Sequence, residues 1–443
     1  MSFETSYKVI DGVRVEKTAE NVYVIGKDLG YDIKITASII EEEALTQVVR
    51  LTKINEFKGM TIRVMPDIHA GKGCVCGLTM NLNGIDYVVP SLIGVDIGCG
   101  MSFVRLTKET FTAEDLKKID DAAHNVVPTG FNIHTEKKVD FDLTRFRCLS
   151  KVSEEMKMNF LKSIGTLGGG NHFISIEVGD ETKYPYLIVH TGSRSLGRLI
   201  AVHYQNIAFE NQKKRMKEEY ERKCREIKEK LLAEGRDKEI NNELKKIKRF
   251  SPNDLKEIKD LCGLIGQDAQ DYLHDMMLAQ EFATLNRRTI IENLTSSLGL
   301  SYENYNETIH NYISPRDMIL RKSSIAAYKD EIVLIPNDQC SGSHLCIGLG
   351  NEDENFSAPH GSGRAMSRSQ AKKMFDGETE QRKMLKHGIF TTTTAGNVDE
   401  CTGAYKNASQ VMKDCEGFVK IIEHLTPIWN FKDCSPEAAS MDD

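Results

Sequence analysis

The sequence predicts an α+β chain of mixed strands and helices, and three observations predict it. Short β-branched runs fill the first 200 residues, a charged helix-patterned stretch interrupts them after about residue 208, and strand-like runs return near residue 331. Val22-Tyr23-Val24-Ile25, Thr61-Ile62-Arg63-Val64-Met65 and Tyr186-Leu187-Ile188-Val189 have strand composition. Glycine-rich strings punctuate them: "HAGKGCVCG", "GVDIGCG", "GTLGGGNHF" and "HTGSRSLG". Such loops are wanted where backbone must approach a ligand closely or adopt positive φ.

From about Ala208 to Leu261 the chain is dense in both charge signs. Met216, Tyr220, Ile227 and Leu231 share one helical face, and Gly235 stands where a turn would go. The pattern predicts a helical hairpin or long solvated helix inserted into the core fold, either a contact arm for RNA or a partner or a solvated spacer. Helical patterning continues over Asp268–Ser297, a strand follows around Glu331–Pro336, and a helix is expected over Ser409–Leu425. With no internal repeat and no low-complexity linker, one catalytic domain over 1–443 carrying 208–261 as an insertion is the economical division.

Hydrophobic residues make up 40% of the 443, enough for a substantial core, and the net charge is −7. A polyanion would therefore be met by a local basic groove, not by the overall field, which excludes a bulk nucleic-acid coat protein but not a nucleic-acid enzyme. The opening MSFETSYKVI lacks a basic segment followed by an apolar one, and no apolar run is long enough to span a bilayer. Eleven cysteines without a framework spacing suit a reducing compartment, so a cytoplasmic protein with no membrane association is expected.

Five of the twelve histidines stand in strand-end or loop settings: His69, His172, His190, His310 and His360. Asp96 and Cys99, three residues apart among glycines, could offer a carboxylate oxygen and a thiolate sulfur to one point, with imidazoles completing a mixed site. A thiolate can bridge two ions; zinc suits nitrogen and sulfur donors, while carboxylate and water leave room for manganese. On spacing alone, a small buried thiol is the competing reading of Cys99. His360 differs in character. The string His360-Gly361-Ser362-Gly363-Arg364 puts an imidazole in an open loop where phosphate could approach and Arg364 could neutralise charge, so the ring could attack phosphorus. Neither a phosphate-binding G-x-x-x-x-G-K-[ST] loop nor the K-x-D-G string of lysine nucleotidyl transferases is present.

Together "MPDIHAGKG", "GVDIGCGM", "GTLGGGNHF", "HTGSRSLG", "HNY" and "APHGSGRAMSRSQAKK" closely resemble the RtcB family of RNA ligases, in the family's order from about residue 60 onward. The resemblance implies packed sheets flanked by helices around a deep metal cleft. It implies a GTP-dependent, manganese-dependent enzyme, with two ions, that joins RNA 3′-phosphate or 2′,3′-cyclic phosphate ends to 5′-hydroxyl ends in RNA repair or tRNA splicing. An archease-type activator is a further implied partner, and DNA is not an expected substrate. Position by position, Asp96, Cys99, His172, His190 and His310 match metal ligands, with Cys99 bridging, and His360 matches the guanylylated histidine. Asn171 and Arg194 match residues near the nucleotide phosphates, and Tyr405 and Lys432 match guanosine contacts; Arg364, beside His360, is counted with them as nucleotide-binding. Two departures fall near the base: Ser175 stands where the family has glutamate, with Glu177 two residues on, and Pro336-Asn337-Asp338-Gln339-Cys340 replaces the family's "PGSMG". "NFKD" likewise replaces a Lys-Gly ending. A dinuclear metal phosphoesterase and a non-ligating RNA-end-binding paralogue are the alternative readings.

Overall fold

The computed structural model describes residues 5–84, 86–247, 259–392 and 395–433. Two large sheets organise the chain. The first runs in the order β1 (Ser6–Ile10), β2 (Val13–Ala19), β3 (Val22–Ile25), β4 (Asp32–Thr36), β5 (Thr61–His69), β6 (Cys76–Asn81), β12 (Ile319–Lys322), β11 (Asn311–Ile313). The second runs β10 (Tyr302–Ile309), β7 (Gly100–Leu106), β9 (Pro185–Thr191), β8 (Phe173–Gly179), β17 (Val419–Phe431), β15 (Ser343–Gly348), β14 (Ile332–Pro336). A small pair, β13 (Ser324–Ala326) with β16 (Ser357–Pro359), completes the β structure described. Helices α1 (Glu42–Arg50), α2 (Ala113–Val126), α3 (Glu154–Lys162), α4 (Arg194–Ala233), α5 (Ile240–Lys246), α6 (Gly266–Leu298), α7 (Arg368–Met374), α8 (Gly377–Lys386) and α9 (Ala408–Asp414) surround them. The mixed α/β class predicted from composition is the class observed. No described helix is long and apolar enough to cross a membrane.

The core is divided, and α6 joins its two halves. Ile33, Ile35, Val64 and Leu78 of the first sheet pack with α1, with Leu196 and Tyr204 of α4, and with Tyr272, Met276 and Phe282 of α6. Val104, Ile174, Val189 and Trp429 of the second sheet pack with α2 and with Ile290, Ile291 and Leu294 further along the same helix. A 33-residue helix is about 50 Å long, enough to reach across both.

In the charged stretch α4 runs on to Ala233, with Met216 and Leu231 buried and Tyr220 and Ile227 half-buried. Gly235 takes φ +68°, and α5 packs back on α4 beyond it. Residues 248–258 of this stretch lie outside the described residues.

The expected helix over Ser409–Leu425 is corrected. Only α9 is helical there, and β17 takes over at Val419. Gly417 and the β-branched Val419, Ile421 and Ile422 disfavour continuing a helix, while the slot between β8 and β15 offers both edges of this strand a partner. Pro427 is tolerated because the pairing with β8 shifts register between Pro427 and Trp429.

Candidate metal centre and adjoining cavity

Four neighbouring strands of the second sheet deliver the site. Across the order β10-β7-β9-β8, Met101 pairs with His190, His190 pairs with Phe173, and Ile309 pairs with Gly100. The residue at or beyond each strand end is therefore a donor: His310 after β10, Cys99 before β7, His190 in β9, His172 before β8. The His310 amide donates to the Cys99 carbonyl at 2.9 Å, closing the β10–β7 corner. Two glycines make this geometry possible. Gly98 takes φ +72°, and a Cβ there would stand 2.9 Å from the Gln280 Cα; a Cβ on Gly192 would stand 2.2 Å from the Asp96 carboxylate.

The donor atoms converge in two groups that share one sulfur. Asp96, Cys99 and His172 form one, and Cys99, His190 and His310 the other, with ligand atoms within 4.8 Å of one another in each. Cys99 Sγ lies 3.4 Å from Nε2 of both His172 and His190; His172 Nε2 is 3.1 Å from Asp96 Oδ2, and His190 Nε2 is 3.4 Å from His310 Nε2. His172 Nδ1 donates to the Leu167 carbonyl at 3.0 Å, which leaves Nε2 as its lone-pair nitrogen. Burial, then the neighbouring histidine charges, holds His190 and His310 well below the ordinary imidazole range, so both are neutral donors. Burial raises the Asp96 carboxyl, but its polar neighbours, His172 first and then Cys99 and Arg194, outweigh it and Asp96 stays below its usual value. Neutral imidazoles, a carboxylate and a cysteine fit a divalent metal.

His360 stands beside this cluster, its ring centroid 4.8 Å from that of His310. Its Nδ1 is 2.6 Å from Oδ2 of the fully buried Asp67, which also accepts the His360 backbone N–H at 3.2 Å. A carboxylate can only accept, so in the neutral ring Nδ1 carries the proton and Nε2 the lone pair. His69, in contrast, joins neither donor group; its Nδ1 meets the Asp67 carbonyl at 2.8 Å, and it pairs across the β5–β6 ladder with Cys76.

A family model described as tRNA-splicing ligase RtcB matches residues 47–147 and 144–433. The chain belongs to the RtcB family. It is 29% identical over 425 residues to the RNA-splicing ligase RtcB of Escherichia coli (strain K12), covering 88% of this chain and 94% of that protein. It is 25% identical over 486 residues to the tRNA-splicing ligase RtcB of Nanoarchaeum equitans, covering 89% and 92%.

In this RtcB chain an open cavity adjoins the cluster. His190, His360 and Asn171 line one part of it, and Glu177, Tyr405 and Lys432 are also on its wall. Arg194 and Arg364 are not among the lining residues. The Arg194 guanidinium donates to Thr166 Oγ1 at 3.1 Å and to the Gly130 carbonyl at 2.7 Å. Arg364 is held by Glu400 at 3.1 Å and by the Asp399 and Met366 carbonyls. Glu400 gathers Arg364, Arg368, Lys432 (3.7 Å) and the Tyr405 hydroxyl; burial raises its carboxyl, but these cations bring it down to about 2. Sequence reasoning missed Glu400, and nothing local marks it. It also missed Asp67, whose signal was a charged residue between the apolar Met65-Pro66 and Ile68 of the buried strand β5.

The departure at Ser175 proves local. Residues two apart on a strand share a face, so Glu177 presents its carboxyl on the same side as Ser175, whose hydroxyl donates to it at 2.9 Å. Burial raises the Glu177 carboxyl to about 7, and its Oε2 has no hydrogen-bond partner among the described residues. The folded chain therefore holds a proton at Glu177 up to near pH 7, while an unfolded glutamate releases it near 4.5. Stability should fall as pH rises through that window. Glu177→Gln, neutral throughout, is expected to gain up to about 3 kcal/mol over the native chain between pH 5 and pH 8. Urea unfolding at the two pH values measures this, and a pH-independent difference would contradict it.

Proposed function

We propose that this chain is a GTP-dependent RNA ligase that joins RNA 3′-phosphate or 2′,3′-cyclic phosphate ends to 5′-hydroxyl ends through a His360–GMP intermediate, in RNA repair or tRNA splicing. The observation that carries the reading is the Asp67–His360 pair, a histidine with its lone pair fixed at Nε2 beside a metal-capable cluster. The names of the relatives, RNA-splicing and tRNA-splicing ligases, support it. We treat the chain as one catalytic domain carrying 208–261 as a helical insertion.

The residues take the following parts. Asp96, Cys99 and His172 would hold one manganese ion, and Cys99, His190 and His310 a second. Such ions neutralise phosphate charge when bound. His360 Nε2 attacks the α-phosphorus of GTP; a nitrogen–phosphorus bond forms, the bond to the bridging oxygen breaks, and pyrophosphate leaves. Asp67 holds the Nδ1 proton and stabilises the cationic ring as attack proceeds. A cyclic RNA end is first opened by water to a 3′-phosphate. An oxygen of that phosphate then displaces His360 from the GMP phosphorus, giving a 5′,3′-diphosphate-linked end. The 5′-hydroxyl of the second strand attacks the RNA phosphorus, and GMP leaves. Asn171, Tyr405 and Lys432 are assigned to the nucleotide from the cavity wall. Arg194 and Arg364 act at one remove, through the loop of Thr166 and through Glu400.

Two short RNAs, one ending in 3′-phosphate and one beginning with 5′-hydroxyl, test the reading. With Mn²⁺ and GTP the purified chain should join them, and a 5′-phosphorylated second strand should not be joined. Phosphate release without joining would favour a phosphoesterase. No product, with or without an archease-type activator, would overturn the assignment.

A further inference from the structure

Two polar residues in the middle of α6 have no part in the reaction above, yet they sit where the helix passes from one apolar core to the other. Asn286 and Arg287 are both fully buried. We propose that Asn286 and Arg287 form a clamp that positions the loops bearing the metal ligands, so that metal affinity and coordination geometry depend on residues that donate nothing to the metal. The proposal rests on reading the cluster as a metal centre.

The contacts are specific to those loops. Arg287 Nη1 donates at 2.9 Å to both the Gly98 and the Thr191 carbonyls, each one residue from a ligand, Cys99 and His190. It thus ties the corner before β7 to the end of β9 with one planar group. Its other donors are satisfied by Ser102 Oγ at 3.1 Å, Thr284 Oγ1 at 3.2 Å and Glu307 Oε2 at 2.9 Å. Asn286 does the same for a third loop. Its Oδ1 accepts the Gly165 and Thr166 amides at 2.7 and 3.1 Å, and its Nδ2 donates to the Thr166 and Gly192 carbonyls at 3.1 and 3.0 Å. The next residue, Leu167, supplies the carbonyl that accepts from His172 Nδ1. Backbone next to two ligands, and the loop whose Leu167 carbonyl orients a third, therefore hang on two adjacent side chains of one helix.

Helix packing alone does not call for this chemistry. Apolar neighbours anchor α6 in both cores, and a buried ion pair is weak support for stability compared with well-packed hydrophobes. What apolar side chains could not do is satisfy the Gly98 and Thr191 carbonyls together. A lysine offers a point charge without the planar fork, so it would hold the two strand ends less exactingly.

Cobalt(II) is the probe, because thiolate-to-cobalt charge transfer reports Cys99 and the visible bands report coordination geometry. The metal-free full chain, Arg287→Lys and Glu307→Gln are titrated with Co²⁺, and each metal-free protein is also unfolded in urea. Arg63→Lys, at a buried arginine paired with Asp32 and Asp353, is the control. Arg287→Lys is expected to bind Co²⁺ about 10- to 100-fold more weakly with altered charge-transfer intensity. Glu307→Gln, which keeps the guanidinium but removes its counter-charge, should shift in the same direction by less. Arg63→Lys should leave affinity and spectrum unchanged whatever it does to stability. Native affinity and spectrum in both Arg287→Lys and Glu307→Gln would overturn the clamp. If Arg287→Lys does not fold, Glu307→Gln decides by the same criteria. Absence of thiolate charge transfer in the unsubstituted chain would remove the metal reading and the clamp with it, whereas its presence with unaffected variants removes the clamp alone.

Discussion

His360→Ala is expected to take up no label from GTP carrying a labelled α-phosphate, while the unsubstituted chain should become labelled through a bond that acid breaks and alkali does not. Those stabilities are the signature of a nitrogen–phosphorus bond. Under the proposed reaction the imidazole is the only covalent way-station for GMP, so strand joining should fall by at least about 10³-fold, as when other enzymes lose a nucleophile. Asp67→Asn sharpens the test. The ring would remain beside His310, but its countercharge would be lost, and an amide nitrogen turned toward Nδ1 would favour the wrong tautomer. Labelling should slow by about 10²-fold or more. Label persisting in His360→Ala would place the nucleophile elsewhere.

Cys99→Ser should disturb both metal positions, where His172→Ala should disturb one. Cys99 Sγ belongs to both donor groups, while His172 belongs to one. A serine hydroxyl is not ionised near neutral pH and is a poor ligand for an ion that a thiolate holds, so each position keeps only two protein donors. Metal analysis after dialysis against Mn²⁺ should find two ions per native chain, one in His172→Ala and fewer than one in Cys99→Ser. Two ions retained in Cys99→Ser would rule out the shared sulfur.

Much of this was legible beforehand, for identifiable reasons. Strands β3, β5, β9 and β14 announced themselves by β-branched runs bounded by turn residues, and α6 by its apolar period. The region after Ser409 misled because Ser409–Asp414 is helical and the residues beyond carry no strong turn signal except Gly417. Whether Val419–Phe431 becomes strand depends on the open edges of β8 and β15, from distant parts of the chain. Asp67 and Glu400 were invisible as functional groups because a carboxylate acquires meaning only from the histidine or cations brought against it. Asn286 and Arg287 looked like ordinary helical polar residues.

The sequence by itself determined the inventory: the mixed α/β class, the donor types, the glycines that admit close backbone approach, and the separation of Asp96 and Cys99 from His360 by more than 250 residues. Only the tertiary structure decided that His172, Cys99, His190 and His310 meet. That meeting is a matter of register across four adjacent strands, where a slip of one residue would turn a donor to the opposite face of the sheet. It also decided which charges face the cavity and which are neutralised elsewhere. Lys432 lines the wall and shares Glu400 with Arg364, while Arg194 is held by Thr166 Oγ1 and the Gly130 carbonyl, because burial forces each charge to find a partner.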